Sequence, residues 1–272
     1  MRPRLTIGWL FLGLLLAFAV GPLIVFVFAA FKTQSELADD PLGPPAHLLW
    51  SNFSDAWTQA AMGRGLLNSL ILVAGTVAGT LLVAGLAAYA MARLNVKGGG
   101  LVLGYLLVAS SLPMQMFLVP LFYIWTRAGL YDTRLGLVII YVAVFSPFAT
   151  LLLRAFLLTL PRELEEAARM DGAGELRVAA RVVLPNALPG LLTVALVTAL
   201  SAYNEFLFAV TFLQSDSSMP VSTTFFAFQQ SYVQNGVLNA AAGIIMLLPM
   251  LILFLALQRR FTDGLANTGM SS

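Results

Sequence analysis

The chain has 272 residues, of which 59% are hydrophobic and 10% charged, with a net charge of +2 at neutral pH. A water-soluble domain carries about a quarter charged residues, so this chain has too few ionic groups to cover a globule in water. Lack of cysteine excludes a disulfide framework, a thiolate metal site and a lipidated cysteine; the basic residues lie scattered between apolar runs, not on the single face that nucleic acid requires.

A hydrocarbon core of roughly 30 Å is crossed by about 20 apolar residues in a helix. In chain order the apolar runs predict six transmembrane helices, over residues 5–31, 65–91, 101–125, 135–153, 188–213 and 238–257. Residues 1–272 therefore read as a single all-α, polytopic membrane domain. Arg2 and Arg4 precede the first run as in a secretory signal, but the run is much longer than a signal core and no small-x-small site follows. It is expected to be a retained anchor.

With the N-terminus inside, eleven basic residues fall on the cytoplasmic side and four, Lys32, Arg64, Arg127 and Arg134, on the other. The positive-inside rule then puts both termini in the cytoplasm. Two long loops, 32–64 and 214–237, lie outside. The first carries Glu36, Asp39 and Asp40 and the lone His47, expected to be a surface residue rather than a metal ligand. The second lacks Lys and Arg and carries Phe225, Phe226, Phe228 and Tyr232, aromatics suited to interfacial anchoring or to packing on neighbouring helices. No internal repeat of the kind common in secondary transporters is visible.

Inside the membrane, Glu205 with Asn204 in the fifth run is the costliest feature. It is either a functional group facing a cavity or a structural one, with Asn204 available to hydrogen-bond the carboxylate. Gln115, between Pro113 and Pro120, stands where a broken helix can meet a ligand, or where it is simply kinked. Ser146-Pro147 raises the same choice, and Gly75-x-x-x-Gly79 predicts a close helix-packing face. No phosphate-loop pattern occurs, so ATP hydrolysis is not expected of this chain, and no catalytic constellation can be assembled.

Segment 160–185 concentrates charge between two apolar runs. Pro161 suits the first position of a helix, and Glu163, Glu165 and Glu166 favour its positive end. Leu164, Ala167, Ala168 and Asp171 share a face, Gly172 and Gly174 break the helix, and 175–183 can form a second. Such an element either lies in the lipid interface or docks a cytoplasmic protein.

Glu166-Ala167-Ala168, three residues, Gly172, nine residues, then Val182-x-Leu184-Pro185 resembles the EAA motif of ABC importer permeases, with Val182 where isoleucine is common. More of the chain resembles the maltose-type, sugar-importing branch. Asn68-Ser69-Leu70, the lead 160–166 and Gln258-Arg259-Arg260-Phe261 with Gly264-Leu265 each resemble its pattern, and Tyr203-Asn204-Glu205-Phe206 stands where the branch often has Trp-Asn-Asp-Phe. The tail, residues 266–272, departs from the family's basic ending and lends no support to a tail contact with the ATPase. The resemblance implies a type I permease fold and a cytoplasmic coupling helix, with Glu165, Glu166, Ala167, Ala168, Asp171, Gly172, Leu184 and Pro185 at the ATPase contact. It also implies a second permease, two ATPase subunits holding ATP and Mg, and an extracytoplasmic binding protein delivering a sugar. Against it stands a proton-coupled secondary transporter using Glu205.

Overall fold

A computed structural model describes the backbone of residues 3–94 and 96–269 and the side chains of residues 8–94 and 96–256. The side chains of Arg2, Arg4 and of the 258–265 signature lie outside the described residues, as does the end of the tail. The described residues are helical, without strands. The helices are α1 Pro3–Phe31, α2 Gln34–Asp39, α3 Ser51–Gln59, α4 Met62–Arg93, α5 Gly99–Ser111, α6 Leu118–Arg127, α7 Arg134–Thr159 and α8 Glu163–Met170. They continue as α9 Glu175–Val178, α10 Leu184–Asn186, α11 Leu188–Asn204, α12 Leu207–Phe212, α13 Val221–Ser231 and α14 Gly236–Gly269.

Four helices, α1, α4, α7 and α14, are long and apolar enough to cross a membrane; counting each of two bent pairs as one span gives six. The third predicted span is one of these pairs, α5 and a 3₁₀ turn leading into α6, bent by 92°. Pro113 forces the residue before it out of the helical region, and Leu112 is extended with ψ 134°. The hydroxyls of Ser110 and Ser111 both donate to the Leu107 carbonyl, at 3.0 and 2.8 Å, easing the loss of helical partners there. The second pair is Glu175–Asn186 with α11, bent by 73°. The fifth predicted span, 188–213, is itself interrupted further along. α11 stops at Asn204, Glu205 is extended with ψ 126°, and the chain resumes as α12.

The contacts divide the chain into two compact units, residues 1–66 with 221–249 and residues 67–220 with 250–272. In the first, the stretch expected as a plain loop, 32–64, contains α2 and α3. A capping box between Thr33 and Glu36 starts α2, and Asn52 holds the carbonyls of Ala30 and Lys32, each at 2.9 Å. His47 is exposed. The stretch 214–237 likewise holds a helix, α13, whose Phe228 is buried and packs on Tyr232 with ring centroids 4.6 Å apart. A helix pairs the backbone of this stretch while it turns Val221 and Phe228 inward.

In the second unit α7 is the central helix, with α4, α5, α11 and α12 against it. Gly75 and Gly79 let α4 approach closely: a Cβ on Gly79 would stand 2.6 Å from Val142 Cγ2, and one on Gly75 would stand 3.2 Å from Val138. Expected outcome: Gly79→Ala lowers the stability of the detergent-solubilised protein by about 1–3 kcal/mol, read from the thermal unfolding midpoint. Gly85→Ala on the same helix, where a Cβ meets nothing within 4 Å, leaves the midpoint unchanged or raised.

Candidate functional site

The loop between α7 and α11 is built as an elbow. α8 opens with Glu163, Glu165 and Glu166 and closes with Arg169, the charge order that a helix dipole favours. It begins two residues after Pro161, which stands outside the helix instead of in its first turn. At its end Gly172 is left-handed, with φ +80°. Its N–H reaches the Arg169 carbonyl and the Ala173 N–H the Ala168 carbonyl, both at 3.0 Å. This paired closure needs a residue without a side-chain penalty at positive φ. The second leg runs further than expected, through α9, a π-helical turn Ala179–Val183 and α10. Val178, Val183 and Ala187 of that leg join a core with Ala84, Ala88 and Ala92 of α4 and with Leu153 and Leu157 of α7.

The expected contact residues separate into two surfaces. Glu166, Ala167, Asp171, Gly172, Leu184 and Pro185 are exposed and Ala168 is half-buried. Met170 and Leu176, at 88% and 87% exposed, stand among them as large apolar side chains in the open. Glu165 does not share that surface. Its side chain is 4% exposed and faces Arg93 at the end of α4, itself 2% exposed, with Nε 2.8 Å from Oε1. The Nε–H is not aligned with that oxygen, so the contact is Coulombic and not a hydrogen bond. Arg93 instead donates from Nη2 to the Leu160 carbonyl at 3.0 Å.

Arg169 extends the network. It lies 3.4 Å from Glu165 and binds Glu175 through two donors, at 2.8 and 3.2 Å, joining the two legs of the elbow. The Tyr89 hydroxyl of α4 donates to Glu175 at 3.1 Å. These contacts hold the Glu175 carboxyl below the usual carboxylate range, Arg169 first and Tyr89 second, and Glu175 raises Arg169 in return.

At the opposite end of α7, Asp132 takes a left-handed conformation, φ +55°. Its carboxylate accepts from the Ser215 hydroxyl and from the N–H groups of Gln214 and Ser215, at 2.8 and 3.0 Å. Burial pushes its carboxyl up, yet these hydrogen bonds together hold it below its ordinary value. Arg134 and Asn68 add donors to the Ser217 carbonyl, at 2.9 and 3.0 Å.

Between these ends lies a cavity of about 630 Å³ bounded by α5, α6, α7 and α11. Tyr105, Phe117, Trp125, Phe145 and Phe148 supply aromatic faces, and Ser110, Thr198 and Ser201 supply hydroxyls. Ala143 and Pro147 also line it, and proline has no N–H to give the carbonyl four residues earlier. Among the described residues, Gln115, Asn204 and Glu205 are not in its lining. Gln115 is exposed on the 3₁₀ turn at the bend. Asn204 does not serve the carboxylate; its Nδ2 donates to its own helix at Leu200, 2.9 Å away. Glu205, 6% exposed, accepts from the Tyr141 hydroxyl at 2.6 Å and from the N–H groups of Phe208 and Ala209 at 2.9 and 3.1 Å. It therefore closes the break it creates, feeding the first orphan amides of α12.

Residues 80–267 match the family model described as the binding-protein-dependent transport system inner membrane component. The chain belongs to this family. Among relatives of this permease, the diacetylchitobiose uptake system permease protein NgcG of Streptomyces coelicolor is 33% identical, with 90% of this chain and 82% of the relative covered. The melibiose/raffinose/stachyose import permease protein MelC of Bacillus subtilis is also 33% identical, covering 90% and 89%. In fold the permease is similar to a chain of a bacterial ABC transporter involved in alginate import, with TM-score 0.79, 22% identity, and 94% and 95% coverage. The resemblance carried by the spaced motif is thereby borne out: the protein is an ABC importer permease, a multi-pass component of the inner membrane, and its relatives are transport proteins rather than enzymes.

Sequence patterns did not single out Arg93, which entered only as a topological charge, nor Tyr89 and Glu175. A lone arginine ending an apolar helix looks the same whether it meets solvent or a buried carboxylate. The Glu175 carboxyl sits below the ordinary range, so its link to Arg169 contributes stability above that range and loses it only as pH falls through the lowered value. Expected outcome: amide protection factors over 163–178 hold in the wild type as pH falls from neutral to about 5, whereas Glu175→Gln reduces protection already at neutral pH. Equal protection in the two proteins at neutral pH contradicts the role given to this link.

Proposed function

We propose that this permease pairs with a second, similar permease to form the path for a sugar or oligosaccharide, and couples to two ATPase subunits through segment 160–185. The observation that carries the reading is the spaced motif folded as an exposed elbow between two spans, within a chain matching the binding-protein-dependent family. Glu166, Ala167, Ala168, Asp171, Gly172, Leu184 and Pro185 meet the ATPase, with Met170 and Leu176 as apolar anchors. Small residues at 167, 168 and 172 let the partner approach closely. Both termini and this elbow face the cytoplasm, as the basic-residue count supports. ATP and Mg belong to the partner ATPase, and an extracytoplasmic binding protein delivers the cargo.

The named cargoes of NgcG and MelC, diacetylchitobiose and melibiose/raffinose/stachyose, support a saccharide. So does the chemistry of the cavity. These saccharides are uncharged, present apolar ring faces and many hydroxyls, and are suited by aromatic faces with a few uncharged polar groups. Trp125, Phe145 and Phe148 can take the ring faces, while Thr198, Ser201 and the Ala143 carbonyl take hydroxyls. Closure of the ATPases on ATP moves the elbow, and the path is exposed alternately to the two sides because nucleotide and cargo favour different states. A proton-coupled transporter using Glu205 is not favoured: that carboxylate is taken up in capping α12 and holding the Tyr141 hydroxyl, and it is not in the cavity lining.

Expected outcome: in cells producing the whole transporter, Gly172→Glu lowers ATP-dependent uptake of radiolabelled melibiose or diacetylchitobiose at least about tenfold, with unchanged amounts of permease in the membrane. Undiminished uptake contradicts the coupling role.

A further inference from the structure

Resting on that coupling role, we propose that Arg93 is a positioning residue that locks the elbow to the end of α4, so that elbow and second span move as one body. Arg93 is not part of the spaced motif and does not reach the exposed surface of the elbow. It touches the elbow at two points: Nη2 holds the Leu160 carbonyl, where the chain leaves α7, and Nε lies 2.8 Å from the carboxylate of Glu165 on α8.

A buried ion pair is a poor source of net stability, because desolvation of both charges offsets their attraction; apolar residues of similar volume serve as well or better. What such a pair specifies is register, since sliding either partner leaves a charge buried alone. Here both side chains are nearly inaccessible, at 2% and 4%, so α8 has one seat on α4. The neighbours repeat the arrangement. Tyr89, one turn earlier on α4, holds Glu175 of the second leg, and Ala84, Ala88 and Ala92 pack beneath Val178 and Val183. Arg162 reaches the Ala92 carbonyl at 3.4 Å. The α4 end thus meets both legs, while Glu166, Met170 and Leu176 remain free to take a push. A load on the tip reaches the membrane through α4 as well as through the covalent connections to α7 and α11.

The chain has no cysteine, so paired nitroxide labels can be placed on it at will once the partner subunits are made cysteine-free. Labels on Leu86→Cys of α4 and Glu163→Cys of α8, both exposed positions, report this distance in the assembled transporter with its ATPase subunits. The expected result is one narrow distance distribution that is the same without nucleotide and in the ATP-trapped state. Arg93→Gln roughly doubles its width, Arg93→Lys largely restores it, and ATP hydrolysis by the complex persists. The double variant Arg93→Gln/Glu165→Gln removes the unpaired charge and recovers full assembly yet keeps the broad distribution. A distance that shifts on ATP trapping in the otherwise unaltered transporter, or one left narrow by Arg93→Gln, overturns the proposal. So does a double variant that regains the narrow distribution, since that marks a role in folding only. Failure of the coupling role itself shows separately, as undiminished uptake by Gly172→Glu.

Discussion

A guanidinium and a carboxylate buried against each other, where α4 ends and α8 begins, set the constraint on which the functional half of this molecule depends. Sliding either partner out of register would leave the other charge buried without its counter-ion, so α8 has one seat on α4. With that seat fixed, the remaining geometry follows. Arg169 can span from Glu165 to Glu175, the left-handed Gly172 can reverse the chain, and Val178 and Val183 can settle on the alanines of α4. The surface left outward is charged at Glu166 and Asp171, small at Ala167 and Gly172 and apolar at Met170 and Leu176. Such a mixture of anchor, clearance and orienting charge suits the proposed docking of an ATPase subunit.

The same economy governs the membrane interior, where an unpaired polar group has no solvent. Each broken span supplies its own substitutes. Ser110 and Ser111 serve the end of α5, and Glu205 with Tyr141 serves the gap before α12. Breaks repaired in this way leave α5, α6, α7 and α11 free to enclose a cavity whose polarity comes from hydroxyls rather than charge. The uncharged saccharide proposed as cargo needs no charged group in its path, and a charge in the membrane interior is costly.

Much of this was legible in the residues. Apolar run length gave the spans, since the bilayer fixes that length, and the glycine pair at 75 and 79 marked the contact with α7. The elbow was recognisable because its motif combines chemistry with spacing, and Gly172 stood where a positive φ was required. Proline marked the bend near Gln115, but not its size of 92° nor that Gln115 would lie outside the cavity lining. Glu205 was visible as costly, whereas its partners, Tyr141 and two backbone amides, depend on how α7 and α12 pack and leave no local trace. Glu165 and Glu166 are adjacent and chemically identical; only the turn of α8 sends one inward to Arg93 and the other outward. The helices in 32–64 and 214–237 escaped notice because polar or aromatic residues without long apolar periodicity read as loop.

Site-specific crosslinking from Met170, 88% exposed at the tip of the elbow, tests the central claim most directly. In intact membranes carrying the whole transporter, a single Met170→Cys bearing a photoreactive group should form its adduct with the ATPase subunit. A membrane-impermeant thiol reagent should reach the same cysteine only from the cytoplasmic side. Adducts formed with lipid alone, or labelling from the external face, would contradict the assignment of this elbow as the point where ATP-driven motion enters the permease.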